Sequence, residues 1–253
     1  MDVILVEPAF PANQREFARA LHAVGARVIG IGERPKDALG PHLSEWLFHY
    51  EQVPNVCDDA SLERAVRFVQ SRAHPQRLEA TVEAHVMTAA RVRARCGIPG
   101  TSVETAFLCR DKPAMKEALR KGGIPCAASA GIDSAKEARE FARIAGFPVI
   151  LKPRDAAGAS GTHRADDAAE LEEAIRVTGL DRGAHVAIEE FVSGHEGFYD
   201  TLTIGGSIVH DFACHYFPNV LEAMRARWIS PQFITTNRID RAPGYAEVKQ
   251  MGK

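Results

Sequence analysis

Val3-Ile4-Leu5-Val6 is an unbroken apolar run bracketed by Asp2 and Glu7, and no other stretch limits the fold as strongly. A strand with one wet face alternates, whereas a run without a polar member is buried on both faces, as in a parallel sheet covered by helices. The residues that follow keep this rhythm. Residues 15–24 set Phe17, Ala20, Leu21 and Val24 on one helical face with Gly25 just past the end, and residues 27–31 read as a second strand. A strand near 49–53, a helix over 61–70, a short strand near 78–82 and a helix over 83–95 closed by Gly97 continue it. The expected class is α/β, opening with a small, mostly parallel, doubly wound unit.

The pattern changes around Gly97-Ile98-Pro99-Gly100. Asp111 caps a helix over 112–121, Pro113 is tolerated in its first turn, and Ser134-x-x-Glu137 is a capping box opening a helix that stops at Gly146. Residues 149–153 read as a strand, 155–162 as a glycine-bearing loop, 185–192 as another strand, and 198–212 as a hairpin turning at Gly205-Gly206. A helix is expected over 218–227, a strand over 232–236 and a helix start over 245–251. The expected domains are residues 1–98, a helical linker over 99–125, a subdomain over 126–193 and the start of a further subdomain over 194–253. That last piece reads as stopping before its domain is complete.

Composition excludes several functions. Lys+Arg 31 against Asp+Glu 33 gives a net charge of −2, and without a basic cluster this is no electrostatic nucleic-acid binder. The first apolar run is too short for a signal peptide or a membrane span, so a cytoplasmic protein with no membrane partner is expected. Five cysteines with no close pair argue for reduced thiols over disulfides or a thiolate zinc site. His210, Asp211 and His215 lack a third ligand at a recurring spacing and are read as structural or surface residues. Gly30-x-Gly32 follows the second strand and has Pro35 where a third glycine would stand, so it is no dinucleotide fingerprint. Neither a P-loop, H-E-x-x-H nor G-x-S-x-G occurs.

Four elements remain. Lys152 lies in an apolar strand, where an ammonium needs an anion or a route to solvent; as a pure nucleotide ligand it could lose its charge with little effect on stability. Residues 155–162 are small, and their N–H groups suit phosphate oxygens. Glu189-Glu190-Phe191-Val192 ends a strand and is followed by Gly194 and Glu196; an extended segment can offer adenine one carbonyl and one N–H, and a nearby carboxylate can accept ribose hydroxyls. Lys112 stands at a helix start upstream. Each element alone has a bland reading as solvated surface or flexible loop, but all four bland readings would have to hold together.

In their order and spacing, Arg110-Asp111-Lys112, Val149-Ile150-Leu151-Lys152-Pro153, the small-residue loop and Glu189-Glu190-Phe191-Val192-Ser193-Gly194-His195-Glu196 resemble the ATP-grasp enzymes, especially the carboxylate-amine ligase and biotin-carboxylase-like branches. The resemblance spans nearly the whole chain. It implies a pre-ATP-grasp Rossmann-like domain followed by an incomplete ATP-grasp domain, with 126–193 as its lid. It also implies Lys112 and Lys152 on ATP phosphates, Gly158, Ala159, Ser160, Gly161 and Thr162 as the phosphate-covering loop, Glu190, Phe191 and Val192 along adenine, Glu196 on ribose, and Glu189 facing the same pocket. The Mg²⁺ ligands and the catalytic groups would lie downstream of this chain. The implied function is the ATP-binding part of a ligase that activates a small-molecule carboxylate as an acyl phosphate for attack by an amine, active once a downstream segment completes it. The alternatives are a biotin-carboxylase-like carboxylase and a noncatalytic or truncated nucleotide-binding module. A homodimer is left open. Arg225, Arg227, Trp228, Asn237 and Arg238 are read either as the border of a substrate site or as surface residues.

Overall fold

A computed structural model describes residues 1–154, 161–226, 229–230 and 232–252, the side chains of residues 224 and 225 excepted. It divides into two compact units, Met1–Arg110 and Asp111–Lys253. The first unit runs β1 (Asp2–Val6), α1 (Gln14–Ala23), β2 (Arg27–Gly32), α2 (Pro41–Trp46), β3 (Leu47–Gln52), α3 (Asp59–Gln70), β4 (Arg77–Glu79), α4 (Val86–Arg95) and α5 (Val103–Arg110). Its sheet is parallel throughout, in the order β3-β2-β1-β4. The opening apolar run is explained by what covers each face of β1. Ile4 and Val6 join Ile29, Ile31, Leu62, Val66 and Leu78 in one cluster, while Leu5 joins Val28, Ala18, Leu43 and Tyr50 in the other. Each such buried side chain contributes about 1.5–3 kcal/mol.

The α/β class read from the sequence is the one observed, with one helix turned differently. The face of α1 that meets the sheet carries Gln14 and Ala18, whereas Phe17 is exposed and Val24 is 81% exposed. Ala18 lets the helix lie close, and buried Gln14 finds a polar partner in the Thr81 hydroxyl, which offsets its desolvation. The helix read over 83–95 opens as a 3-10 turn, Glu83–His85, before α4 begins.

The second unit runs α6 (Lys112–Lys121), β5 (Ser129–Ile132), α7 (Ala135–Ala145), β6 (Val149–Pro153), β7 (His163–Ala165), α8 (Ala168–Thr178), β8 (Val186–Glu190), β9 (Gly197–Ile204), β10 (Ser207–Phe217), α9 (Val220–Ala226), β11 (Gln232–Thr236) and α10 (Ala246–Gly252). Its caps are those the sequence implies. Asp111 accepts from the Ala114 N–H at 2.9 Å, Ser134 Oγ accepts from the Glu137 N–H at 3.3 Å, and the Glu137 carboxylate reaches back to accept from the Asp133 N–H at 2.8 Å. One sheet, β5-β8-β6-β7, is antiparallel. Because strand residues alternate faces, Val149, Leu151, Val186 and Ile188 enter a core with Ala138, Ala142, Leu171 and Ile175 of α7 and α8. Ile150, Lys152, Ala187 and Glu189 are thereby turned to the opposite face. A second antiparallel sheet, β11-β10-β9, leaves Leu202, Ile204, Val209, Phe233 and Ile234 exposed. Among the described residues no helix is long and apolar enough to cross a membrane.

Arg93 ties the first unit together. It is 5% exposed; Nε and Nη2 donate to the Leu78 carbonyl at 2.9 and 2.6 Å, and Nη1 donates to the Thr101 carbonyl at 2.8 Å. Arg93→Met keeps much of the stem but strands these buried carbonyls, so urea unfolding should report a loss of about 2–4 kcal/mol. A loss of about 0.5 kcal/mol or less, as at ordinary surface sites, would mean that the clamp is not structural.

Candidate functional site

The face of the antiparallel sheet opposite its core opens on a cleft of about 790 Å³ within the second unit. Register brings its charged groups together. β6 and β8 run antiparallel with Ile150 opposite Glu189 and Lys152 opposite Ala187, so Lys152 and Glu189 are diagonal neighbours on one face. Lys152 Nζ lies 2.7 Å from Glu189 Oε1. Lys116 Nζ, from α6, lies 2.9 Å from Glu189 Oε2. Lys112 is one helical turn before Lys116 on the same face and also lines the cleft.

Glu189 is 8% exposed. Burial pushes its carboxyl upward, but hydrogen bonds and charge from Lys152 and Lys116 outweigh that effect and hold it below the usual carboxylate range. Burial draws the Lys152 ammonium down; Glu189 opposes this, and the charges of Lys116 and Lys112 add to it. The anion that the sequence requires for Lys152 is thus supplied by the protein itself. Lys152 carries structure as well, contrary to the expectation that its charge could be removed with little effect on stability.

The strand end beyond Glu189 is held from both sides. The Glu190 N–H donates to the Ala128 carbonyl at 2.9 Å, the Glu190 carboxylate accepts from the Ala128 N–H at 2.9 Å, and the Phe191 N–H donates to the Pro148 carbonyl at 3.1 Å. The Arg164 guanidinium sits 4.1 Å over the Phe191 ring. Val192 is exposed at the cleft wall. Glu196 Oε2 accepts from the Val220 N–H at 2.6 Å, and Asn219 bridges, accepting from the Glu196 N–H and donating to the Gly194 carbonyl.

Of the residues singled out in the sequence, Lys112, Lys152, Thr162, Glu189, Glu190, Phe191, Val192 and Glu196 line this one cleft. Gly161 is adjacent, at φ +68, where an added Cβ would meet the Pro153 ring at 3.0 Å. Gly158, Ala159 and Ser160 lie outside the described residues, as do Arg227, Trp228 and the side chain of Arg225. Asn237 and Arg238 are not among the residues that line the cleft. The sequence reading missed Lys116, whose i,i+4 spacing from Lys112 was the available signal, and Arg164, on a strand of three residues. It also missed His195, which lines the cleft with Nε2 3.0 Å from His215 Nδ1, while His215 Nε2 lies 2.8 Å from the Tyr245 hydroxyl. His215 and Asp211 have protein partners, Asp211 meeting the Tyr199 hydroxyl and Lys249. No group of three or more His, Cys, Asp or Glu suited to a metal occurs among the described residues.

The paired lysines set a test. Glu189→Gln and Lys152→Met should each destabilise the protein by about 1–3 kcal/mol at neutral pH, with a coupling of about 0.5–3 kcal/mol in the double variant. The Glu189 carboxyl titrates lower in the folded protein than its ordinary value of 4.5. Its contribution is therefore full above that value and is lost as pH falls through the folded one. Urea unfolding across the acid range should show a shallower loss in Glu189→Gln than in wild type; equal slopes would remove Glu189 from the acid response.

Residues 111–197 match the family model described as the carbamoyl-phosphate synthase L chain ATP-binding domain. The N-terminal section of the carbamoyl phosphate synthase large chain of Methanopyrus kandleri is 37% identical over 97 residues, covering 38% of this chain and 17% of that protein. The L-arginine-specific L-amino acid ligase of Bacillus subtilis is 26% identical over 230 residues, covering 89% of this chain and 54% of that protein. The crystal structure of an L-amino acid ligase from Bacillus licheniformis superposes with a TM-score of 0.67 at 18% identity, over 85% of this chain and 50% of that one. The chain thus spans about half the length of these ligases. The matched segment and the shared fold make the chain similar to the ATP-binding domain of these proteins.

Proposed function

We propose that the chain is the ATP-binding part of an ATP-dependent ligase that converts a small-molecule carboxylate to an acyl phosphate, from which an amine displaces phosphate. The observation that carries this reading is the meeting of Lys116 and Lys152 on one buried carboxylate, with Lys112 lining the same cleft, beside an extended strand end and Glu196. Three ammonium groups lining one cleft can meet several oxygens of an anion, and the triphosphate is the anion this cleft would take. In the proposed assignment, Lys112, Lys116 and Lys152 hold phosphate oxygens, and Gly161 and Thr162 approach them through backbone. The Glu190 carbonyl and Val192 N–H face adenine, with the Phe191 and Arg164 stack beside them, and Glu196 accepts from ribose hydroxyls through the oxygen that does not hold Val220.

Transfer moves the γ-phosphoryl group to a carboxylate oxygen and leaves ADP. The amine then attacks the acyl carbon, phosphate departs with the bond electrons, and the ammonium proton passes to solvent. The lysines lower the electrostatic barrier to bringing two anions together. The described residues do not make a magnesium site, since Glu189 is held by two lysines and Glu196 by the Val220 N–H. Residues 1–98 act as the pre-ATP-grasp domain and 126–193 as the lid in this reading, and the five unpaired cysteines suit the cytoplasm.

Calorimetry with a nonhydrolysable ATP analogue tests it. Lys112→Met, which leaves the Glu189 pairs in place, should weaken binding by about 1.5–3 kcal/mol, the scale of a hydrogen bond to a charged group. Equal affinity in wild type and variant would sink the assignment.

A further inference from the structure

The first unit has a second hollow, of about 470 Å³, lined by Glu7, Phe10, Glu33, Arg34, Pro35 and His85. It lies at the carboxyl edge of the parallel sheet. Ligands of open parallel sheets bind outside the carboxyl ends of the strands, where successive connections part to opposite sides. The order β3-β2-β1-β4 puts that point between β1 and β4. Glu7 directly follows β1, Glu33 directly follows β2, and His85 ends the 3-10 turn that comes after β4. Three chain segments thus deliver three polar side chains to one spot.

The local chemistry is that of an incomplete set of partners. Glu7 is 5% exposed and held at φ 52, a region unfavourable for a side-chain-bearing residue. Gly32 makes room for it, since a Cβ there would come within 3.2 Å of both Glu7 carboxylate oxygens. Glu7 Oε2 accepts from the Glu33 N–H at 2.8 Å, and Glu33 Oε1 accepts from the Val56 N–H at 2.9 Å. Neither carboxylate has an ion pair among the described residues, although Arg34 stands at the same rim. Burial raises the Glu7 carboxyl and the Glu33 charge adds to this, while the Glu33 N–H, the Arg34 charge and the Ala9 N–H partly offset it. His85 is 8% exposed, and its Nδ1 is buried with no hydrogen-bond partner among the described residues. Burial lowers its basicity, and the Glu33 charge opposes this. Buried polar groups are left this way at a large cost unless a ligand completes them.

We infer that this hollow binds a small molecule through a primary ammonium, with Glu7 and Glu33 giving the counter-charge and His85 a ring nitrogen. An ammonium carries three donors, which suits three acceptors arriving from three segments. Among the described residues the three side chains do not converge as a metal-binding cluster, and N–H···O contacts tolerate the wider spacing that a small cation does not. Arg34 would meet a carboxylate on the same molecule, which makes α-amino acids the first probes. The inference stands on the first unit alone. Its test omits nucleotide, so it and the ligase reading fail separately.

The test is titration calorimetry of the full chain with glycine, L-alanine, L-arginine and ethylamine, and with the N-acetyl form of each. At least one free amine should saturate the protein, with affinity falling about tenfold or more on N-acetylation and in Glu7→Gln. Glu33→Gln, at an exposed position, should weaken binding while leaving the circular-dichroism melting curve unchanged. The inference is overturned if no free amine binds at concentrations up to about 10 mM, if the acetylated forms bind equally, or if Glu33→Gln binds as wild type. It is also overturned if Mg²⁺ alone binds in a Glu7-dependent way.

Discussion

Glu189, caught between Lys152 and Lys116, is the interaction on which the second unit is organised. The alternation of β6 and β8 forces a choice, because packing Val149, Leu151, Val186 and Ile188 on α7 and α8 turns Lys152 and Glu189 to the other face. There each charge would be stranded alone; together they are tolerable. The second lysine comes from α6, so the same carboxylate that neutralises the strand also draws that helix to the sheet. A buried ion pair of this kind adds little net stability over a hydrophobic replacement, but it strongly penalises arrangements in which one partner is missing.

For the nucleotide binding proposed above, the consequence is an exchange. Phosphate oxygens entering the cleft compete with a resident carboxylate for lysine donors, so only the difference between the two sets of contacts appears as affinity. In the reading proposed above, this favours a polyanion with several oxygens in register over a single small anion, which could satisfy one lysine but not replace Glu189 on two.

Much of this architecture could be read before any coordinates, where local chemistry decides it. Asp111, Ser134 and Glu137 announce helix starts because side-chain oxygens meet orphan N–H groups within the same few residues. The strand holding Lys152 and the hairpin turn at Gly205-Gly206 are also local. Besides the short helix α2, which went unread, the elements missed are strands decided at a distance. β5 is Ser-Ala-Gly-Ile, too small and too short to show a period, and becomes a strand by pairing with β8. β7 is three residues long and exists through β6. The face of α1 was misjudged because Phe17 outweighs Gln14 on any hydrophobicity scale, whereas the Thr81 hydroxyl reverses that order. In the cleft, residue types were legible and partners were not. Nothing in the sequence says that the anion meeting Lys152 is Glu189.

The exposed Leu202, Ile204, Val209, Phe233 and Ile234 of the β11-β10-β9 sheet give the molecule two opposite responses to its solvent. Sulfate and moderate warming strengthen contact between apolar surfaces, while ordinary salt screens the charges lining the cleft. Contact between exposed apolar surfaces and the proposed anion binding therefore move apart as conditions change. Low sulfate and a cold buffer weaken the first, and low ionic strength preserves the second.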